Sequence, residues 1–209
     1  MRLANSLGIT LLLGASLSYP ARAGEKKSTP DPNSVTIESV NYSGTGCPKG
    51  SLATAITNDA QTFIFIFSSL YAQTGPGVSP SEAKKQCQIH IKLSVPPNWS
   101  YALTTVDYRG YTSLDPSVSA SQAMTYHMSG ESPDSTAAFS WQGALDGEYA
   151  VTDIGGQSPP YWSRCGGGKN LMIRTDIDVD NSANLSGSGL LEVDTSDGQM
   201  VHVSWQRCQ

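Results

Sequence analysis

"CQIHIKLSV", residues 87–95, alternates without a break: Ile89, Ile91, Leu93 and Val95 fall on one side, Gln88, His90, Lys92 and Ser94 on the other. Strict period two marks a strand with one face in the core and one in water. "MIRTDIDVDN", residues 172–181, repeats the pattern, with Leu171, Ile173, Thr175, Ile177 and Val179 inward and Met172, Arg174, Asp176, Asp178 and Asp180 outward. "TFIFIF", residues 62–67, is apolar on both faces, as a covered central strand would be. Further strands are expected at "VTIESVNY", "YALTTVDY", "QAMTYHM", "EYAVTDI" and "VHVSW", separated by Gly- and Pro-rich breaks. Many short alternating strands with frequent turns predict an all-β chain, an antiparallel sandwich of jelly-roll-like type. One short helix is expected at "SPSEAKK", residues 79–85, where Ser79 can cap, Pro80 suits the first helical position and Glu82 completes a capping box.

The aspartates of 176–180 also raise a calcium loop. An EF-hand starting at Asp176 needs Gly at its sixth position and Glu at its twelfth, but the chain has Asn181 and Gly187 there. The strand reading is preferred, and no metal or other cofactor is expected. In the C-terminal stretch, Asp197-Gly198 suggests a hairpin. A three-residue loop with Gly198 left-handed pairs Val193 with Val201 and Leu191 with Val203, keeping one face apolar.

Residues 1–23 read as a signal peptide. Arg2 gives the positive start, "LGITLLLGASLS" the apolar run, and Ala21-Arg22-Ala23 the cleavage site. The run is too short for a membrane anchor. Residues 24–34, "GEKKSTPDPNS", are polar and aperiodic and are expected to form a disordered lead-in, with Lys26-Lys27 a solvated pair or, alternatively, a dibasic processing site. Residues 35–209 then form one domain. Loss of Arg2 and Arg22 leaves 11 basic against 18 acidic residues, net −7. Such a surface disfavours nucleic acid and anionic membranes.

Cys47, Cys87, Cys165 and Cys208 all follow the signal peptide, and an even count there implies two disulfides. Of three pairings, Cys47 with Cys87 and Cys165 with Cys208 is favoured, because each closes a loop of roughly 40 residues and stabilises by about 4 kcal/mol on the chain-entropy model. Sequons stand at Asn41, Asn98 and Asn184, glycosylation sites in a eukaryotic secretory pathway.

The runs "VTIESVNYSGTGCPKGS", "GPGVSPSEAKKQCQ", "DYRGYTSLD", "SGLLEVDTSDG" and "WQRCQ" together resemble DUF4360, a family of small secreted proteins of fungi and bacteria. The similarity spans Val35 to Cys208. Lys84-Lys85-Gln86 departs from the Arg-Lys-Asn run more usual there. The resemblance implies a secreted, disulfide-bonded β domain with no established activity, and carries over no catalytic residues.

Local signatures of catalysis are missing. There is no G-x-S-x-G and no H-E-x-x-H. His90, His127 and His202 fall on polar strand faces. A lytic polysaccharide copper oxidase needs histidine at the mature N-terminus, where cleavage after Ala23 leaves Gly24. Paired glycosidase carboxylates depend on the fold, with Asp107, Glu148 and Asp153 as possible members. Aromatic residues in polar company point instead to binding. Trp99, Tyr101, Tyr108 and Tyr111 lie near Asp107 and Arg109, and Tyr161 and Trp162 lie in a loop; on an exposed face flat rings stack on sugars while polar neighbours hold hydroxyls, and the alternative is that the rings pack in the core or beneath the loops. The expectation is a secreted, extracellular, non-catalytic protein that binds cell-wall or other polysaccharide. A glycosidase-like hydrolase and a toxin-like or inhibitory protein are the alternatives.

Overall fold

The structure, a computed structural model, describes residues 29–129, 135–153, 162–193 and 198–208. The signal peptide, Lys26-Lys27 and Tyr161 lie outside the described residues. Within the described part of the expected lead-in, Pro32–Ser34 form a 3-10 turn, with Asp31 accepting from the Asn33 amide.

Twelve strands follow among the described residues: β1 Thr36–Ser43, β2 Leu52–Ile56, β3 Thr62–Phe67, β4 Tyr71–Thr74, β5 Lys84–Ser94, β6 Trp99–Leu114, β7 Ser119–Met128, β8 Ser135–Gln142, β9 Leu145–Asp153, β10 Leu171–Asp180, β11 Gly189–Val193 and β12 Gln199–Arg207. One sheet runs β1-β5-β10-β7-β8. The other runs β2-β3-β12-β6-β11-β4 with β9 also on β6. The pairings are antiparallel, and the expected sandwich forms. In β5 and β10 the inward residues named above are buried, and the outward ones are half-buried or exposed. In β3, Phe63, Phe65 and Phe67 are at most 1% exposed while Ile64 and Ile66 are half-buried, so one face takes most of the burial. Each such phenylalanine contributes roughly 1.5–3 kcal/mol.

Contacts between the sheets define the core. Tyr108 of β6 meets Phe139 of β8 edge-on, ring centroids 5.7 Å apart, and Trp141 of β8 lies 4.6 Å from Tyr149 of β9. Two polar pairs also cross: Thr175 donates to Gln199 at 3.0 Å and Tyr149 to Gln122 at 2.9 Å. Buried polar groups of this kind require such partners. Cys47–Cys87 and Cys165–Cys208 are the bridges formed, spanning 40 and 43 residues.

Two local expectations are corrected. The helix at 79–85 is a single 3-10 turn, Pro80–Glu82, and Ser79 makes no side-chain cap. The chain cannot continue it because Lys84 and Lys85 already pair with Asp178 and Ile177 of β10. Glu82 bonds Lys85 at 2.9 Å instead of closing a capping box.

The C-terminal hairpin does not form either. β11 and β12 both pair with β6, end to end along one edge: Val193 lies opposite Gly110 and Gln199 opposite Tyr108. β4 and β3 follow β11 and β12 in the same way on the far side. Gly198 is left-handed, φ 55°, as the hairpin reading required, but it serves this junction; an added Cβ would strike the Phe65 carbonyl.

Candidate functional site

The phase of β6 decides where its aromatic residues go. His202 pairs with Thr105 and Val203 with Leu103, leaving Thr104 as an extra residue. Such a bulge turns the alternation over. Before it Trp99, Tyr101 and Leu103 face inward; after it Val106, Tyr108, Gly110 and Thr112 do. Trp99, Tyr101 and Tyr108 are therefore core residues, at 6%, 0% and 1% exposure, and cannot form the exposed platform expected of them. Burial pushes the hydroxyl pKa of Tyr101 and Tyr108 upward. Arg207 covers the edge of this core, 4.7 Å from the Trp99 ring centre. Trp162 is half-buried beside Ser163, whose amide and hydroxyl bind the backbone of Tyr101.

The same bulge sends Asp107, Arg109 and Tyr111 to the outer face of the seven-stranded sheet. Directly paired residues of neighbouring strands share a face. Tyr71 of β4 pairs with Glu192 of β11, Glu192 with Tyr111 of β6, and Tyr111 with Glu148 of β9. The result is a row across four strands: Tyr71, Glu192, Tyr111, Glu148. Buried residues stand on both sides of three of them, Leu70 and Ala72 about Tyr71, Leu191 and Val193 about Glu192, Gly110 and Thr112 about Tyr111, while Glu148 is exposed between half-buried Gly147 and buried Tyr149, so the four point outward. Tyr71 is 39% exposed. Two strand spacings put the tyrosine backbones about 10 Å apart. The Tyr111 hydroxyl donates to Asp146, which pushes its pKa up and fixes the ring. Gly110 has no Cβ, and this admits the Glu192 carbonyl and the Tyr149 hydroxyl beneath the row. Tyr71 and Glu192 escaped notice in the sequence because each is one outward residue of a short strand.

Along the same face runs a line of bonded polar groups. Thr62 and His202 Nδ1 are 3.1 Å apart, His202 Nε2 and Asp107 Oδ2 2.9 Å, and Thr152 donates to Asp107 Oδ1 at 2.5 Å. Burial raises the Asp107 pKa, but the bonds from Thr152 and His202 and the charges of His202 and Arg109 outweigh it, and the net shift is downward. An ionised carboxylate with both oxygens engaged is unsuited to general acid catalysis. The Thr62 amide is bonded to Thr57, so this line lacks a free donor there for a developing oxyanion.

The five-stranded sheet carries a polar groove of about 340 Å³ lined by Gln88, Thr125, His127, Met172, Ile173, Arg174 and Asp176. Its charges answer one another. Arg174 makes two 2.7 Å bonds to Asp176, Lys84 lies 2.7 Å from Asp178, and Asp180 takes the amide and hydroxyl of Ser182. Asp176, Asp178 and Asp180, the aspartates of the calcium-loop comparison, are thus held by protein partners. Among the described residues no group of three or more His, Cys, Asp or Glu is placed to hold a metal, and no helix is long and apolar enough to cross a membrane. Of the sequons, Asn41 and Asn98 are exposed, while the Asn184 amide donates to the Pro116 carbonyl at 2.9 Å.

Comparison with known proteins adds the following. An uncharacterized secreted protein of Arthroderma benhamiae is 35% identical over 204 residues, covering 91% of this chain and 83% of its own. Among solved structures, the carbohydrate-binding module TmCBM61, in complex with β-1,4-galactotriose, matches at 9% identity and a TM-score of 0.31, covering 88% of this chain and 100% of its own. The enzymatically active domain of bacteriophage CBA120 tailspike protein 4 matches at 10% identity and 0.20, covering 88% and 21%. At these TM-scores neither likeness bears on ligand or mechanism. The model of the family described as a domain of unknown function, DUF4360, matches residues 33–208, and the chain belongs to that family.

Proposed function

We propose that the protein is secreted and acts outside the cell as a non-catalytic binder of polysaccharide, through the outer face of its seven-stranded sheet. The observation that carries this reading is the row Tyr71, Glu192, Tyr111, Glu148 on four adjacent strands. Outward rings, here the exposed Tyr71 and the half-buried Tyr111, offer flat apolar surface to the CH face of a pyranose, and carboxylates between them accept from its hydroxyls. A rigid sheet holds this spacing without loop ordering, so little entropy is lost on binding. Of the residues first considered from the sequence, Tyr111, Arg109 and Asp107 belong to this face, and Trp99, Tyr101 and Tyr108 support it from below.

The hydrolase reading has one observation in its favour: Glu148 and Glu192 flank Tyr111 on either side. Their backbones lie about 10 Å apart, near the separation of an inverting pair. The Tyr111 ring, however, stands where the scissile bond would have to lie. Depletion of protein by washed insoluble polysaccharides, run beside an assay for released reducing ends, separates the two. Binding without release, weakened by Tyr71→Ala and by Tyr111→Ala, is expected; release abolished by Glu148→Gln would favour the hydrolase.

A further inference from the structure

We propose that the preferred ligand of this face is a polysaccharide bearing protonated amines, a deacetylated glucosamine-type polymer. The inference rests on the glycan-platform reading and adds the charge of the ligand. Along the row, rings and carboxylates alternate strand by strand: Tyr71, Glu192, Tyr111, Glu148. Among the described residues the side chains of Glu192 and Glu148 have neither an ion pair nor a hydrogen bond, in contrast to Glu38 and Glu82, which bind Lys92 and Lys85. Of the cations of this face, Arg109 stands two residues along β6 from Tyr111. His202 is bonded to Asp107, and Arg109 lends its charge to the same carboxylate.

The row is therefore locally negative, on a chain of net charge −5. Uronates and sulfated glycans are repelled by such a surface. Neutral glycans gain stacking and ordinary hydrogen bonds. An ammonium gains more, a charge-assisted bond to Glu192 or Glu148 and attraction to the face of the adjoining tyrosine. A polymer of amino sugars laid across the strands presents a ring and an amine in every unit, which matches the alternation of the row.

The test measures depletion of the full chain by insoluble chitosan, chitin, neutral β-glucan and cross-linked polygalacturonate at low and high salt, with poly-lysine as a competitor. Chitosan should bind about tenfold more tightly than chitin, the worth of two exposed ion pairs, and lose the advantage at high salt. Glu148→Gln/Glu192→Gln should erase the preference while retaining chitin binding. Equal affinity for chitosan and chitin would overturn the amine preference and leave the platform standing; binding to no glycan would overturn both. A chitosan preference that survives the double substitution would assign it to overall charge and overturn this site. Poly-lysine displacing chitosan as effectively as soluble chitosan does would overturn the glycan identity of the ligand.

Discussion

Tyr108 and Tyr111 stand three residues apart on β6, and replacing each by alanine should have opposite consequences. Tyr108 is 1% exposed, with its ring edge-on to Phe139 at 5.7 Å. Removing a buried aromatic ring costs about 3–5 kcal/mol, and the lost ring pair is included in that range. For a domain of this size 1 kcal/mol moves the melting temperature by about 2–4 °C. Tyr108→Ala should thus lower Tm by roughly 6–20 °C. Tyr111 lies on the outer face and loses one exposed hydrogen bond to Asp146, so Tyr111→Ala should stay within about 1 kcal/mol of wild type. Calorimetry of the oxidised proteins measures both. A Tyr108 variant as stable as wild type, or a Tyr111 variant as damaged as the Tyr108 one, would refute the phase change at Thr104 and with it the placing of the site.

Other outcomes follow from particular contacts. The folded Asp107 carboxyl has its pKa lowered, so its bonds stabilise the fold above the unfolded value of about 3.9 and that contribution is lost as pH falls through the lower folded value; urea midpoints against pH should show Asp107→Asn with a shallower acid loss than wild type. Cys47 and Cys87 are buried whereas Cys165 is exposed, so limited reduction followed by alkylation should label Cys165 and Cys208 first. Millimolar calcium should move Tm by less than about 1 °C, because Asp176, Asp178 and Asp180 already have protein partners; a large shift abolished by Asp178→Asn would contradict this. Expression in a eukaryotic secretory host should give glycans at Asn41 and Asn98 but not at Asn184, whose amide is engaged, as glycopeptide mass spectrometry would report.

The sandwich was legible because single strands carry their own burial pattern. Ile89 to Val95 and Leu171 to Val179 need no knowledge of their neighbours to be assigned a face. Pairing partners were not legible, since the alternation that suits Val193 against Val201 suits both strands equally well against β6. The bulge at Thr104 leaves no mark in composition, and without it Trp99, Tyr101 and Tyr111 share a parity that suggests one shared face. Tyr71 and Glu192 come from short strands far apart in sequence, and only the register brings them beside Tyr111. The 3-10 turn at Pro80 shows the same limit, its capping residues outweighed by long-range pairing of Lys84 and Lys85.

The central claim, that the outer face of the seven-stranded sheet binds glycan, is tested most directly by mapping amide and side-chain NMR shifts while adding a soluble chito-oligosaccharide. The expected result is a contiguous set of changes at Tyr71, Arg109, Tyr111, Glu148 and Glu192, with the opposite face at Gln88, Thr125, His127 and Arg174 unmoved. Shifts confined to that opposite groove, or no shifts with any oligosaccharide of the series, would contradict it.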